Sequence, residues 1–68
     1  MIGSIDVVLG GVGYELEYEL SYPEWWLLSG RKYEDDIELT QEALNYLEDQ
    51  HFEKLSGLIH SEFWRGYA

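Results

Sequence analysis

Between Tyr14 and Tyr22 every second residue is apolar, and the residues between are Glu15, Glu17, Glu19 and Ser21. A period of two belongs to a strand with one buried face, and an unbroken run of it leaves a helix no apolar stripe to bury. The chain therefore contains a long strand, ended at Pro23, whose missing N–H cannot enter a ladder. Upstream, Ile5, Val7 and Leu9 alternate with Asp6 and Val8, which predicts a first strand over residues 4–9. Gly10, Gly11 and Gly13 lie between the two and tolerate the positive φ that tight turns demand, so the strands fold back on one another as a hairpin over about residues 4–22.

The next stretch matches neither period. Residues 23–36 mix Pro23, Ser29, Gly30 and the acidic group Glu34, Asp35 and Asp36 with Trp25, Trp26, Leu27 and Leu28. Residues 23–39 read as a Trp-containing loop, with 37–39 available for a short third strand. Thr40 is a good N-cap, because its hydroxyl can accept from an orphan N–H of a first helical turn, and Leu39 and Leu44 occupy the staple positions around it. A helical part over 40–65 follows. Ala43, Leu44 and Leu47 share one helical face, and Phe52, Leu55, Ile59 and Phe63 share another. One continuous helix over 41–64 would be roughly 36 Å long and would outreach the hairpin it must cover. A break near Glu48, Asp49, Gln50 and His51, giving two helices, is the preferred reading. The expected fold class is α+β, an antiparallel hairpin of two or three strands packed against one or two C-terminal helices, in a single domain over 1–68.

Composition then limits function. A chain of 68 residues with 14 acidic and 4 basic side chains has a formal net charge of −10, a balance repelled by phosphate backbones and anionic headgroups alike. Direct nucleic-acid or membrane-surface binding is not expected. The 16% aromatic content argues for a folded chain, since disordered acidic chains are poor in aromatics. Cysteine is absent, so disulfides, thiolate metal sites and thiol nucleophiles fall away together. No basic and apolar leader and no membrane-length apolar run are present, so a cytoplasmic location is expected.

No catalytic or cofactor constellation closes. The Gly10–Gly13 run is followed by a strand, whereas a phosphate-cradling loop must open a helix. His51 and His60 fall on opposite faces of any continuous helix, and Glu48 with His51 lacks the second motif that a carboxylate-bridged metal bundle needs. Glu34, Asp35, Asp36 and Glu38 lack the alternation and central Gly of a calcium loop. Neither an enzyme nor a metal or cofactor protein is expected.

The Glu15, Glu17 and Glu19 row is the most informative feature. With the alternate residues buried, these three stand on the opposite face at intervals of about 6.7 Å, twice the strand rise. Like charges close together on a sheet cost stability, and glutamate is depleted in strands. No base lies in the hairpin to neutralise them, and Asp6 adds to the same face. Either function favours the field, or the row only keeps the sheet soluble. Trp25 and Trp26 are adjacent, so their rings diverge; one is expected near the surface, where an indole serves as an interface anchor. The partner-binding candidates are Glu15, Glu17, Glu19, Asp6, Trp25, Trp26, Glu34, Asp35 and Asp36.

In its size, acidity, lack of cysteine and Glu-bearing hairpin beside Trp25 and Trp26, the chain resembles small acidic phage-encoded inhibitors of the anti-CRISPR and DNA-mimic type. That resemblance covers the style of the whole chain and no single motif. It implies a non-enzymatic inhibitor of a nucleic-acid-handling host defence complex, binding a protein partner with a basic surface. The competing expectation is a generic interaction or assembly module that binds through a Trp/Leu surface.

Overall fold

The computed structural model describes residues 1–67. Strands β1 (Ile2–Leu9), β2 (Val12–Ser21) and β3 (Glu24–Lys32) form one antiparallel sheet in the order β1-β2-β3, followed by helices α1 (Gln41–Gln50) and α2 (Phe52–Tyr67). This is the expected α+β arrangement, with three strands and two helices.

The β1–β2 hairpin forms as its residues dictate. Leu9 pairs with Val12 across a two-residue turn in which Gly10 and Gly11 have φ of 58° and 81°. Positive φ at both central positions is the type I′ geometry, whose twist matches that of the strands it joins. Ile5, Val7 and Leu9 of β1 and Tyr14, Leu16, Tyr18 and Leu20 of β2 are buried on one face.

The structure corrects the reading of residues 23–39 as a loop. Residues 24–32 form a full third strand, with Leu20 opposite Trp25 and Glu15 opposite Arg31. Two features disguise it. Trp26 and Leu28 are exposed yet apolar, so the in–out alternation does not show as polarity. Tyr18 pairs with Leu27 but Glu17 pairs with Ser29, leaving Leu28 as the extra residue of a β-bulge. The bulge inverts the phase: Trp25 and Leu27 are buried before it, Gly30 after it. The predicted short strand at 37–39 reduces to an isolated bridge, Arg31 with Glu38, beside a hydrogen bond from Leu39 N–H to the Gly30 carbonyl at 2.7 Å. Gly30 is where this return segment meets the sheet. A Cβ there would lie 2.6 Å from Leu16 Cδ2 and 3.2 Å from Leu39 Cδ1, so the close approach requires glycine.

The helices start and stop where local chemistry directs. Thr40 caps α1, its Oγ1 accepting from Ala43 N–H at 3.1 Å. His51 breaks the helical run: it closes α1 with a hydrogen bond to the Leu47 carbonyl, while its own carbonyl accepts from Leu55 in α2. Leu44 and Leu47 of α1 and Leu55 and Ile59 of α2 complete the core against the sheet, with Val12, Leu39 and Phe63 packed at its margin. Both helices therefore cover the same sheet face, and the other face is left open. No helix among the described residues is long and apolar enough to cross a membrane.

Candidate interaction face on the open side of the sheet

Because Tyr14, Leu16, Tyr18 and Leu20 point to the helices, Glu15, Glu17 and Glu19 point away from them, in the middle strand of the sheet. Ladders on both sides fix that strand in the sheet. Register supplies the neighbours. Glu15 lies between Asp6 and Arg31, Glu17 between Ser4 and Ser29, and Glu19 between Ile2 and Trp26.

The three glutamates are not electrostatically equivalent, which corrects the expectation of an uncompensated row. The third strand brings in Arg31, which the loop reading left unplaced. Its guanidinium meets Glu15 Oε1 at 3.0 Å and Asp36 Oδ1 at 2.9 Å. Asp36 adopts φ of 54°, and Asp35 accepts a long 3.4 Å hydrogen bond from Ile37 N–H within the same turn. Surface pairs of this kind contribute roughly 0–1 kcal/mol each, but they fix where the Arg31 guanidinium sits. Asp6 is engaged as well. Tyr33, whose N–H donates to the Gly13 carbonyl at 3.1 Å, gives its phenolic hydrogen to the Asp6 carboxylate. That hydrogen bond, with lesser help from desolvation and from the charges of Asp6 and Glu15, pushes the Tyr33 phenol up to about 12 from 10.0.

Glu17 and Glu19 keep their charge uncompensated. Among the described residues neither makes an ion pair, and Glu17 has only a long contact from Ser29 Oγ at 3.5 Å. An open depression lined by Ser4, Glu15, Glu17, Ser29, Gly30, Arg31, Asp36 and Glu38 lies over this region. Beside Glu19, the partly exposed Trp26 and the exposed Ile2 and Leu28 give the acidic surface an apolar border. Glu34 and Asp35 are exposed in the turn after β3.

The two adjacent indoles separate as their opposite directions require. Trp26 is 39% exposed on the open face, whereas Trp25 is 8% exposed. Trp25 donates from Nε1 to Ser56 Oγ at 2.7 Å and stacks on Phe52 with ring centroids 5.4 Å apart. It is a core residue, and only Trp26 offers the anchor expected of the pair.

Sequence reasoning missed an aromatic clamp at the far end of the sheet. Tyr22, in the β2–β3 turn, stacks on Phe63 at 5.0 Å and touches His60 and Trp64 at 5.1 and 5.6 Å. His60 Nε2 lies 3.0 Å from the Pro23 carbonyl, so this histidine fastens α2 to the turn. The available signal was the helical spacing of His60, Phe63 and Trp64. Among the described residues no group of three His, Asp or Glu side chains converges as a metal site would require.

No family model, curated protein or solved structure matches this chain.

Proposed function

We propose that this protein is a non-catalytic acidic binder, an inhibitor that occupies a basic, nucleic-acid-handling surface of a host defence complex with charge standing in for that of DNA. The observation that carries this reading is the pair of carboxylates, Glu17 and Glu19, that make no ion pair among the described residues and stand on a central strand whose outer face no described element covers. A fixed anionic surface gains affinity from a basic groove by the complementarity that attracts DNA there, and the net charge of −10 speeds encounter by steering. Glu15 and Asp6 extend the field, and Glu34, Asp35 and Asp36 add to it from the neighbouring turn.

The test is the triple change Glu15→Gln, Glu17→Gln and Glu19→Gln, made once a partner has been captured from host lysate and identified by mass spectrometry. Size and polarity are kept while three charges are removed. Affinity measured by calorimetry should fall by an order of magnitude or more, and its dependence on salt should flatten. The fold should hold or gain slightly, since like-charge repulsion along β2 is relieved. Unchanged affinity at both low and high salt would remove the reading's principal residues.

A second reading, an interaction module anchored by an indole, is favoured by the exposure of Trp26 beside Ile2 and Leu28. In that case Trp26→Ala abolishes binding with little salt dependence, while the triple Gln variant binds as the parent does.

A further inference from the structure

The sheet has two edges, and they are treated differently. The β3 edge is blunted by the bulge at Leu28 and by the return segment, through the Arg31–Glu38 bridge and the Leu39-to-Gly30 hydrogen bond. Among the described residues the β1 edge carries neither a bulge nor a paired return segment. Its pairing with β2 runs without a register shift from Ile2 opposite Glu19 to Leu9 opposite Val12, and it contains no proline or lysine. A regular, uncharged-backbone edge of this length is a template for another strand unless something guards it.

The phase of the ladder identifies the open groups. Met1 exchanges hydrogen bonds with Leu20 at 3.0 and 2.7 Å, and antiparallel pairs alternate between bonded and non-bonded. Met1, Gly3, Ile5, Val7 and Leu9 therefore turn their backbone toward β2, while Ile2, Ser4, Asp6 and Val8 turn theirs to the edge. Lys54 agrees with this phase: its Nζ crosses to the Val8 carbonyl at 2.7 Å, the hydrogen bond made to that row among the described residues. The amides and carbonyls of Ile2, Ser4 and Asp6 face outward.

Charge selects the occupant. A second copy would bring two chains of net charge −10 together along this edge. An added strand places its outward side chains beside Ile2, Ser4, Asp6 and Val8, and Asp6 favours a base. Ser4 is short and lies directly beside Glu17. A strand docked on β1 is about 9–10 Å from β2, twice the strand spacing, a gap that a Lys or Arg side chain and Glu17 span together across Ser4. Residues pointing the other way meet the rim of the core at Ile5 and Val7 and favour apolar side chains.

Building on the reading of a basic protein partner, we propose that β1 is the docking edge for an extended partner segment in which apolar and basic residues alternate, its main chain bonding to Ile2, Ser4 and Asp6 and its basic side chains reaching Asp6 and Glu17. This is strand addition, in which the backbone supplies affinity and alternate side chains supply selectivity.

The probe is a blocked peptide of alternating Lys and Val, as long as β1, titrated into the isotope-labelled full chain and followed by NMR with amide hydrogen exchange. The Ser4 and Asp6 amides should become at least tenfold slower to exchange in the complex, and a peptide with Gln in place of Lys should bind at least tenfold more weakly. Ser4→Pro removes an N–H that β2 does not use and should abolish binding with the fold retained, whereas Ser4→Ala should bind as the parent does. Should Ser4→Pro fail to fold, the exchange measured on the parent decides. Shifts at Glu15, Glu17 and Glu19 with Ser4 and Asp6 exchanging as in the free protein overturn the edge proposal and leave the face reading standing. A peptide that perturbs neither region overturns the edge proposal alone, because the face reading is decided by the triple Gln variant and its captured partner. Protection of Ser4 and Asp6 that grows with protein concentration before peptide is added identifies a second copy as the occupant and equally overturns it.

Discussion

Tyr33 and Asp6 meet through a turn that neither strand pattern announces. The phenol is held up to about 12 chiefly by its hydrogen bond to Asp6, against 10.0 for an unperturbed group. A phenol whose folded-state pKa is raised contributes stability that is fully present below pH of about 10 and is lost as pH climbs through about 12. Tyr33→Phe should therefore be less pH-sensitive than the parent in that window: the gap between their melting temperatures should close as the parent's phenol ionises. Ultraviolet titration of the phenols should lose a component near pH of about 12 in the variant. Equal alkaline profiles for the two proteins would show that the Tyr33–Asp6 hydrogen bond does not form in solution. Trp25 and Trp26 make the same point about position. Consecutive strand residues face opposite sides, so one indole is committed to the Ser56 and Phe52 contacts and the other to the open face.

At the scale of elements, β3 is the piece that completes the molecule. It supplies Trp25 and Leu27 to the core, Arg31 to the open face and Gly30 to the return of the chain. Gly30→Ala tests how tightly that return is packed. The added Cβ would press on the fully buried Leu16, on Leu39 and on the Glu15 carbonyl. Overpacking of this kind costs about 1–3 kcal/mol, and denaturant melts should show that loss with an unchanged slope. A variant as stable as the parent would mean that residues 36–40 can lift from the sheet. The helices depend less on such close fits. Thr40 and His51 set the ends of α1 by their own hydrogen bonds, and α2 is fastened at one end by Lys54 to Val8 and at the other by Tyr22 and Pro23 to His60.

Over the whole molecule, charge opposes folding while burial on one sheet face drives it. The chain compacts to 35 × 19 × 19 Å with a net charge of −10, so carboxylates that are far apart in the unfolded chain are crowded together. Self-repulsion of this sort weakens with ionic strength, since the Debye length falls from about 30 Å at 0.01 M to about 3 Å at 1 M. Raising sodium chloride from low concentration to about 0.5 M should increase the melting temperature by several degrees, roughly 1 kcal/mol of stability for a domain of this size. A melting temperature that falls with salt would mean that the Arg31 and Arg65 ion pairs outweigh the repulsion. The same screening that stabilises the free protein should weaken its hold on a basic partner, so folding and binding should respond to salt in opposite directions.

The local code of this chain was strong enough to determine the β1–β2 hairpin, the cap at Thr40, the break at His51 and the outward direction of Glu15, Glu17 and Glu19. Each depends on a period, a turn residue or a cap that acts over a few bonds, so the residues carry the answer themselves. The third strand needed more, because the bulge at Leu28 shifts its phase midway and its outward residues Trp26 and Leu28 are apolar. Only register against β2 distinguishes it from a loop. The same register delivered Arg31 to Glu15 and left Glu17 and Glu19 without an ion pair among the described residues, and the packing of α2 delivered Tyr22 to Phe63. Periodicity tells a side chain which face to take; which neighbour it meets there depends on segments far along the chain, and only the tertiary structure brings them together.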